Sequence, residues 1–210
     1  MPHPDRSGVP ARAQAAFLLV LTLAVAGCGL FSTRTPTAPG TVVGPPPNFS
    51  LPESTLATLA RSVHGRNATN YGLCLADTAA EQREFHAAFD PADVTAFAQS
   101  GGTPPSDWTR SQELTFFPQF IAYLPNSQYD VYLSVDTDRG GIIDVGGATQ
   151  KKIYNMHYRV WSGASPVCAG SAGIALERVG GSGEYKVTYW EDRRDTVNVR
   201  TWGAARLGGR

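Results

Sequence analysis

Between Tyr129 and Trp190 apolar residues recur at every second position, whereas between Leu56 and Leu75 they recur at every third or fourth. Period two lines one face of an extended strand, and a period near 3.6 lines one face of a helix. The chain therefore changes from helices to strands along its length, and this order points to an α+β domain in which a curved, mainly antiparallel sheet wraps N-terminal helices. The strand-like stretches are 129–135, 152–161, 168–179 and 184–190, rich in β-branched and aromatic residues and separated by Gly-rich turns.

The helical part opens with Ser50-Leu51-Pro52-Glu53, a capping-box sequence with proline in the first turn, and predicts a helix over 51–64. His64 to Asn67 breaks it. Asn67 can cap a second, short helix whose inner face is Tyr71, Cys74 and Leu75, closing at Asp77. Residues 84–89 alternate as a strand that Asp90-Pro91 ends, and a Gly/Pro/Ser-rich loop runs to Trp108. Thr109 with Gln112 offers another capping box for a helix over 110–117, which Pro118 stops.

The amino terminus carries a different signal. Arg6 and Arg12 precede an apolar run at 17–25 that ends in Ala26-Gly27-Cys28. The run is too short to span a bilayer, which needs about 20 apolar residues, and reads as a secretory signal peptide. Val25-Ala26-Gly27-Cys28 resembles the bacterial lipobox. That resemblance implies cleavage after residue 27 and a mature chain held to the membrane by acyl chains on Cys28. Gly29 after the cysteine implies the outer membrane where the organism has one. Residues 28–49, with Pro36, Pro39 and Pro45-Pro46-Pro47, have no apolar period and read as a semi-rigid tether. The domain is then expected at 50–195, with 196–210 as a C-terminal extension.

Composition excludes some partners. The 210 residues carry 18 basic and 18 acidic side chains, and loss of residues 1–27 leaves a formal charge of −1. Nucleic-acid binding through a basic face needs clustered Lys and Arg and is not expected. Of three cysteines, Cys28 is taken by lipid. Cys74 lies on the inner helix face, and Cys168 shares strand parity with Ala172, Ile174 and Leu176, so both point inward. In an oxidising compartment they either bridge, which the loop-entropy estimate values at about 4 to 5 kcal/mol, or stay two separate buried thiols.

The order of elements and the closing pattern Gly170-x-Ala172-x-Ile174-x-Leu176-x-Arg178, a Gly-rich turn, and Tyr185-x-Val187-x-x-Trp190-Glu191-Asp192 resemble the nuclear-transport-factor-2-like superfamily, which includes SnoaL-type cyclases and ketosteroid isomerases. The resemblance covers about 50–195. It implies a cone-shaped barrel whose mouth takes a small ligand or a partner protein, and homodimerisation through the exposed sheet face as a family habit. Lining candidates for a small apolar ligand are Tyr71, Phe85, Phe117, Phe120, Met156 and Tyr158. Ketosteroid isomerases place a tyrosine and acidic groups inside the cone, but no residue here matches them securely, and Glu191 and Asp192 read as rim charges. A non-enzymatic binding protein is the leading reading, and an enzyme using a buried acid or base in the cone is the alternative.

No cofactor signature is present. Asp136-Thr137-Asp138-Arg139-Gly140-Gly141-Ile142-Ile143-Asp144 resembles a calcium loop, with carboxylates at the first, third and ninth places, glycine at the sixth and isoleucine at the eighth, but the twelfth place is Gly147, so no metal site is expected. His64, His86 and His157 lack metal spacing. His157 alternates with Met156 and Tyr158 and is expected on the outer face of the sheet, with Asn155 and Arg159. Trp108, Trp161, Trp190 and Trp202 read as packing residues.

Overall fold

A computed structural model describes residues 46–124, 129–162, 165–180, 183–196 and 198–208. The signal peptide, Cys28 and nearly all of the tether lie outside them. Val43–Arg210 forms a compact unit, and its core is drawn from within that unit. Among the described residues no helix is long and apolar enough to cross a membrane.

The helix-first order holds. Helix α1 is Pro52–His64, and α2, Ala68–Cys74, starts at Asn67, whose side chain accepts the Asn70 N–H. The Ser50 capping box does not form. Ser50 turns back to Asn48, and Glu53 instead accepts the Tyr154 hydroxyl at 2.6 Å, which pins the helix to the sheet. A single-turn helix α3, Thr78–Glu81, leads to a short strand β1, His86–Ala88.

Two corrections follow, both at proline. Asp90-Pro91 opens a helix rather than introducing a loop. In α4, Pro91–Gln99, Asp90 caps the Ala92 N–H at 2.8 Å and proline fills the first turn, where no N–H is needed. After β2, Trp108–Thr109, helix α5 is Arg110–Tyr123 and continues past Pro118. Gln112 accepts the Thr109 N–H at 2.8 Å, the second half of the expected capping box. Pro118 removes one helical hydrogen bond, at a cost of about 3 kcal/mol. Burial of Phe117, Phe120 and Ile121 on the same turns offsets it.

The remaining strands are β3, Tyr129–Val135, β4, Ile142–Gly146, β5, Lys151–Ser162, β6, Ser165–Val179, and β7, Glu184–Arg193. A final helix α6, Trp202–Arg206, is capped by Thr201. The sheet is mixed and curved, with the order β2-β1-β7-β6-β5-β3, and it is not closed. Among the described strands only the β1–β7 pair is parallel, so the mainly antiparallel α+β expectation stands. Irregular register between Val160 and Trp161 and between Ala175 and Leu176 bends the long strands.

Strand β4 was not foreseen. It pairs with β5 alongside the end of β3, and the loop 136–141 is an excursion between two segments on one sheet edge. Asp136 caps a 3-10 turn by accepting from the Asp138 and Arg139 N–H groups, Gly140 supplies a φ of 92°, and Asp144 accepts the Gly146 N–H. The calcium-like spacing is thus used in backbone capping.

Strand parity is as expected. Tyr154, Met156, Tyr158 and Val160 face the core, as do Cys168, Ala172, Ile174 and Leu176. The disulfide is a correction: Cys74 and Cys168 are both free thiols. Cys74 sits between α1 and α2, with its Sγ 3.3 Å from the Asn70 carbonyl, while Cys168 lies opposite Val160 in the sheet. Burial pushes the Cys74 thiol up to about 12 and raises Cys168 as well. The domain limits also shift, because Phe49 is buried and Trp202, Ala205 and Leu207 belong to the core. Residues 198–208 are part of the domain and not an appendage. Unfolding the 43–210 chain without reductant should release two thiols to a thiol reagent, and the native chain none; a bridged pair would give none in either state.

Candidate functional site

Glu113, on the inner side of α5, has no solvent exposure, and neither does the side chain of Arg206 on α6. Glu113 Oε2 accepts from Arg206 Nε at 2.7 Å and from Trp108 Nε1 at 2.6 Å. Its Oε1 accepts from the Tyr71 hydroxyl at 2.5 Å, from Arg206 Nη2 at 3.1 Å and from Trp202 Nε1 at 3.4 Å. Five donors from four residues thus converge on one carboxylate. Burial opposes the charge on Arg206, but Glu113 beside it outweighs this and holds the guanidinium pKa above its ordinary value.

Two further buried carboxylates hold the same C-terminal segment. Asp192 accepts the Tyr158 hydroxyl at 2.6 Å through Oδ1 and the Gly203 N–H through Oδ2, and the Tyr158 oxygen accepts the Trp202 N–H at 2.9 Å. Asp93 accepts from Thr201 and from Arg194. Asp192 is therefore no rim charge. Burial raises its pKa to about 6, against the hydrogen bond from Tyr158 and the charge of Arg206. Glu191 does behave as a rim group, paired with Arg193 at 2.9 Å.

The result is a filled cone. Trp202 stacks toward Trp190, with ring centroids 5.9 Å apart, and packs on Phe120 at 4.7 Å. Between Leu59, Tyr71, Tyr158, Val160, Trp190 and Trp202 there remains a void of about 20 Å³, which is room for one water molecule. Of the six residues expected to line a ligand cavity, five are core packing. Tyr71 stacks on Phe117 at 3.8 Å, Phe85 has no exposure, and Met156 and Tyr158 are buried beneath the sheet. Only Phe120 reaches an open site.

That site is a cleft of about 820 Å³ between α5 and the C-terminal segment, walled by Trp108, Phe116, Phe120, Leu124, Val167 and Arg206. Ser111, Thr115 and Gln119 form its polar rim on α5, with Tyr123 and Arg200 nearby. Sequence reasoning missed all of these except Phe120. The signal was the stripe Gln112, Phe116, Phe120 at four-residue spacing, which becomes visible once α5 is allowed to pass Pro118. Trp108 and Trp202 do pack, as expected, but both also donate to Glu113. Among the described residues no His, Cys, Asp and Glu side chains gather to hold a metal ion. His157 lies on the outer face, 3.3 Å from Asp136 and 3.0 Å from Asp195.

Removing one partner of the buried pair leaves an uncompensated charge, so Arg206→Met should destabilise the domain by about 3 to 5 kcal/mol in urea unfolding. Glu113→Gln added to it should recover part of that loss, because the amide oxygen still accepts while the charge is gone. A single variant as stable as the parent would contradict the pairing. Asp192 gives a pH signature. Its folded pKa, about 6, exceeds the unfolded carboxylate value, so the native state binds the extra proton, and stability from this group falls as pH rises from about 4 to 6, by about 3 kcal/mol. The stability of the parent minus that of Asp192→Asn should decline by this amount over that window; a flat difference would remove the assignment.

No protein-family model and no curated protein matches the chain. Among solved structures, it is similar to a domain of unknown function with a cystatin-like fold from Nostoc punctiforme, at 9% identity over 69% of this chain and 75% of that one, with a TM-score of 0.46. It is also similar to ActVI-ORFA from Streptomyces coelicolor, at 13% identity over 68% and 93% with a TM-score of 0.45. A protein of the NTF2-like family from Streptomyces avermitilis matches at 8% identity over 66% and 89%, with a TM-score of 0.43.

Proposed function

We propose that the protein is a lipid-anchored component of the bacterial cell envelope whose domain binds a small, largely apolar molecule in the cleft beside α5. The carrying observation is the aromatic cleft of about 820 Å³ flanking a cone that is filled by α6. Its volume lies within the range of small-molecule sites, about 300 to 1,000 Å³, and its wall has the usual character of such sites, apolar with a few polar groups at the rim. The anchor rests on the lipobox-like Val25-Ala26-Gly27-Cys28, and the Pro-rich tether would hold the cleft clear of the headgroups. A protein partner could use the same aromatic surface.

The enzyme reading draws on one observation, the raised pKa of Asp192. Both oxygens of that carboxylate already accept from Tyr158 and Gly203, however. A substrate could reach them only if α6 left the cone, so binding is the better-supported role.

Two measurements test the proposal. A neutral apolar dye such as Nile red should gain fluorescence with the 43–210 chain, and Thr115→Trp, which fills the cleft from its exposed rim, should abolish the gain. An unchanged gain in that variant would place the dye elsewhere and refute the cleft. In a bacterial host, the full-length chain should take up a labelled fatty acid and fractionate with membranes, and Cys28→Ala should lose both; a labelled Cys28→Ala chain would refute the anchor.

A further inference from the structure

We infer that the free edge of β4 is a lipid-contact surface: the domain rests against a phospholipid headgroup layer through Leu51, Ile142, Ile143 and Val145, and the cleft opens at the far end of the sheet. The inference rests on the anchor reading above and adds to it the face that meets the membrane. Among the described strands β4 pairs with β5 alone, so its outer edge is open. Natural proteins blunt such edges with charge, proline or a covering element. In β4 three of the five residues are β-branched and apolar, and its one charge, Asp144, turns its carboxylate back to accept the Gly146 N–H at 2.9 Å. Ile142, Ile143 and Val145 are 48, 45 and 55% exposed, and Leu51 is 57% exposed. Leu51 belongs to the same neighbourhood because Glu53, two residues on, accepts the Tyr154 hydroxyl at 2.6 Å, and Tyr154 is the cross-strand partner of Ile142.

A group of apolar side chains left open on a folded domain marks a contact surface. Its occupant follows from where the chain toward the anchor leaves the domain. The Phe49 carbonyl accepts the Tyr185 N–H at 2.7 Å at the start of β7, and the Tyr185 hydroxyl donates to Gln150, just before β5, at 2.9 Å. Pro46 is the first described residue, 18 positions after Cys28 in the sequence. The exit toward the anchor and the β4 edge thus share one end of the sheet. The cleft lies toward the other end. Residues 142–144 are level with Ile174–Leu176 of β6 through Tyr154–Lys152, whereas the cleft wall takes Val167, at least seven residues back along that strand, or about 23 Å at the usual rise. Charges around the edge have both signs: Lys151 pairs with Glu177 at 3.1 Å, and Lys152 stands beside Glu53 and across from Asp144. Such a balance suits a zwitterionic headgroup and needs no anionic lipid. The open row of N–H and C=O groups requires hydrogen-bond partners, which places the strand at headgroup depth and not in the hydrocarbon.

The test ties the 43–210 chain to phosphatidylcholine vesicles through an N-terminal hexahistidine on a nickel-chelating lipid, so that it does not depend on acylation of Cys28. The fluorophore NBD is attached at Ala148→Cys, in the turn after β4, or at Gln119→Cys on the cleft rim. Both positions are exposed, while Cys74 and Cys168 are buried and do not compete for the label. NBD at position 148 should shift to the blue on the vesicles and be quenched by doxyl-labelled lipid, and NBD at position 119 should do neither. Ile143→Ser/Val145→Ser, at exposed positions, should remove the response at 148. No response at 148, or equal responses at both positions, would overturn the inference, and so would a response at 148 that survives the double serine variant. A blue shift that appears without vesicles and grows with protein concentration would assign the edge to a second copy of the chain and overturn the lipid surface. A full response on vesicles together with an unlabelled Cys28 in the host would support the surface and refute the anchor alone.

Discussion

The buried pair of Glu113 and Arg206 is the interaction on which the interior is arranged. Two charges removed from water lose several kcal/mol of hydration each, and their attraction offsets this only when further hydrogen bonds satisfy the remaining lone pairs. Here Tyr71, Trp108 and Trp202 supply those bonds. Each donor comes from a different element: α2, β2 with the start of α5, and α6. An apolar pair of the same volume would fill the space equally well, but it would not distinguish one rotation of α6 from another. Directional bonds to a single carboxylate do, and so the polar centre fixes where the C-terminal segment sits.

That placement moves the open surface of the molecule. A curved sheet folded over helices leaves an interior that must be filled by side chains or by a ligand. Trp202, stacked against Trp190 and Phe120, fills it from the chain itself. The same helix forms one wall of the outer cleft through Ala205 and Arg206, while α5 forms the other through Phe116 and Phe120. A single short helix therefore closes one cavity and creates another, and Arg206 belongs to both: it pairs inward with Glu113 and borders the cleft outward.

Much of this fold was legible, and the failures have physical causes. Helix α1, Asn67 as a cap, the period-two strands and the inward parity of Cys168 are local or periodic properties, and all appear in the structure. Proline was misread twice, because its effect depends on position: at Pro91 it follows a capping aspartate and starts a helix, and at Pro118 aromatic burial on both sides outweighs the lost bond. Strand β4 was hidden by a loop whose aspartates mimic metal ligands while capping backbone. The candidate site was the least legible part. Glu113 and Arg206 lie 93 residues apart, and no periodicity links a glutamate inside one amphipathic helix to an arginine at the end of another. With α5 cut short at Pro118 and residues 196–210 set aside, neither cleft wall could be drawn, and the aromatic residues were assigned to the cone that α6 fills.

The outer face of the sheet shows how the segment before α6 is aimed. Asp195 accepts from Ser171 at 2.7 Å, pairs with His157 at 3.0 Å and lies 3.4 Å from Arg139. His157 in turn approaches Asp136 at 3.3 Å, which ties the loop between β3 and β4 to the end of β7. Five residues later the Arg200 carbonyl accepts the Ala169 N–H at 2.9 Å, and Thr201 then donates to buried Asp93. The connection from β7 to α6 is thus held on the outer face at its start and in the core at its end. Exposed ion pairs of this kind contribute little stability singly, but a short connection fixed at both ends leaves its helix few orientations to sample. The charges on the outer face therefore act on the interior through geometry: they deliver Trp202 and Arg206 to the carboxylates that receive them, and Glu113 makes that delivery specific.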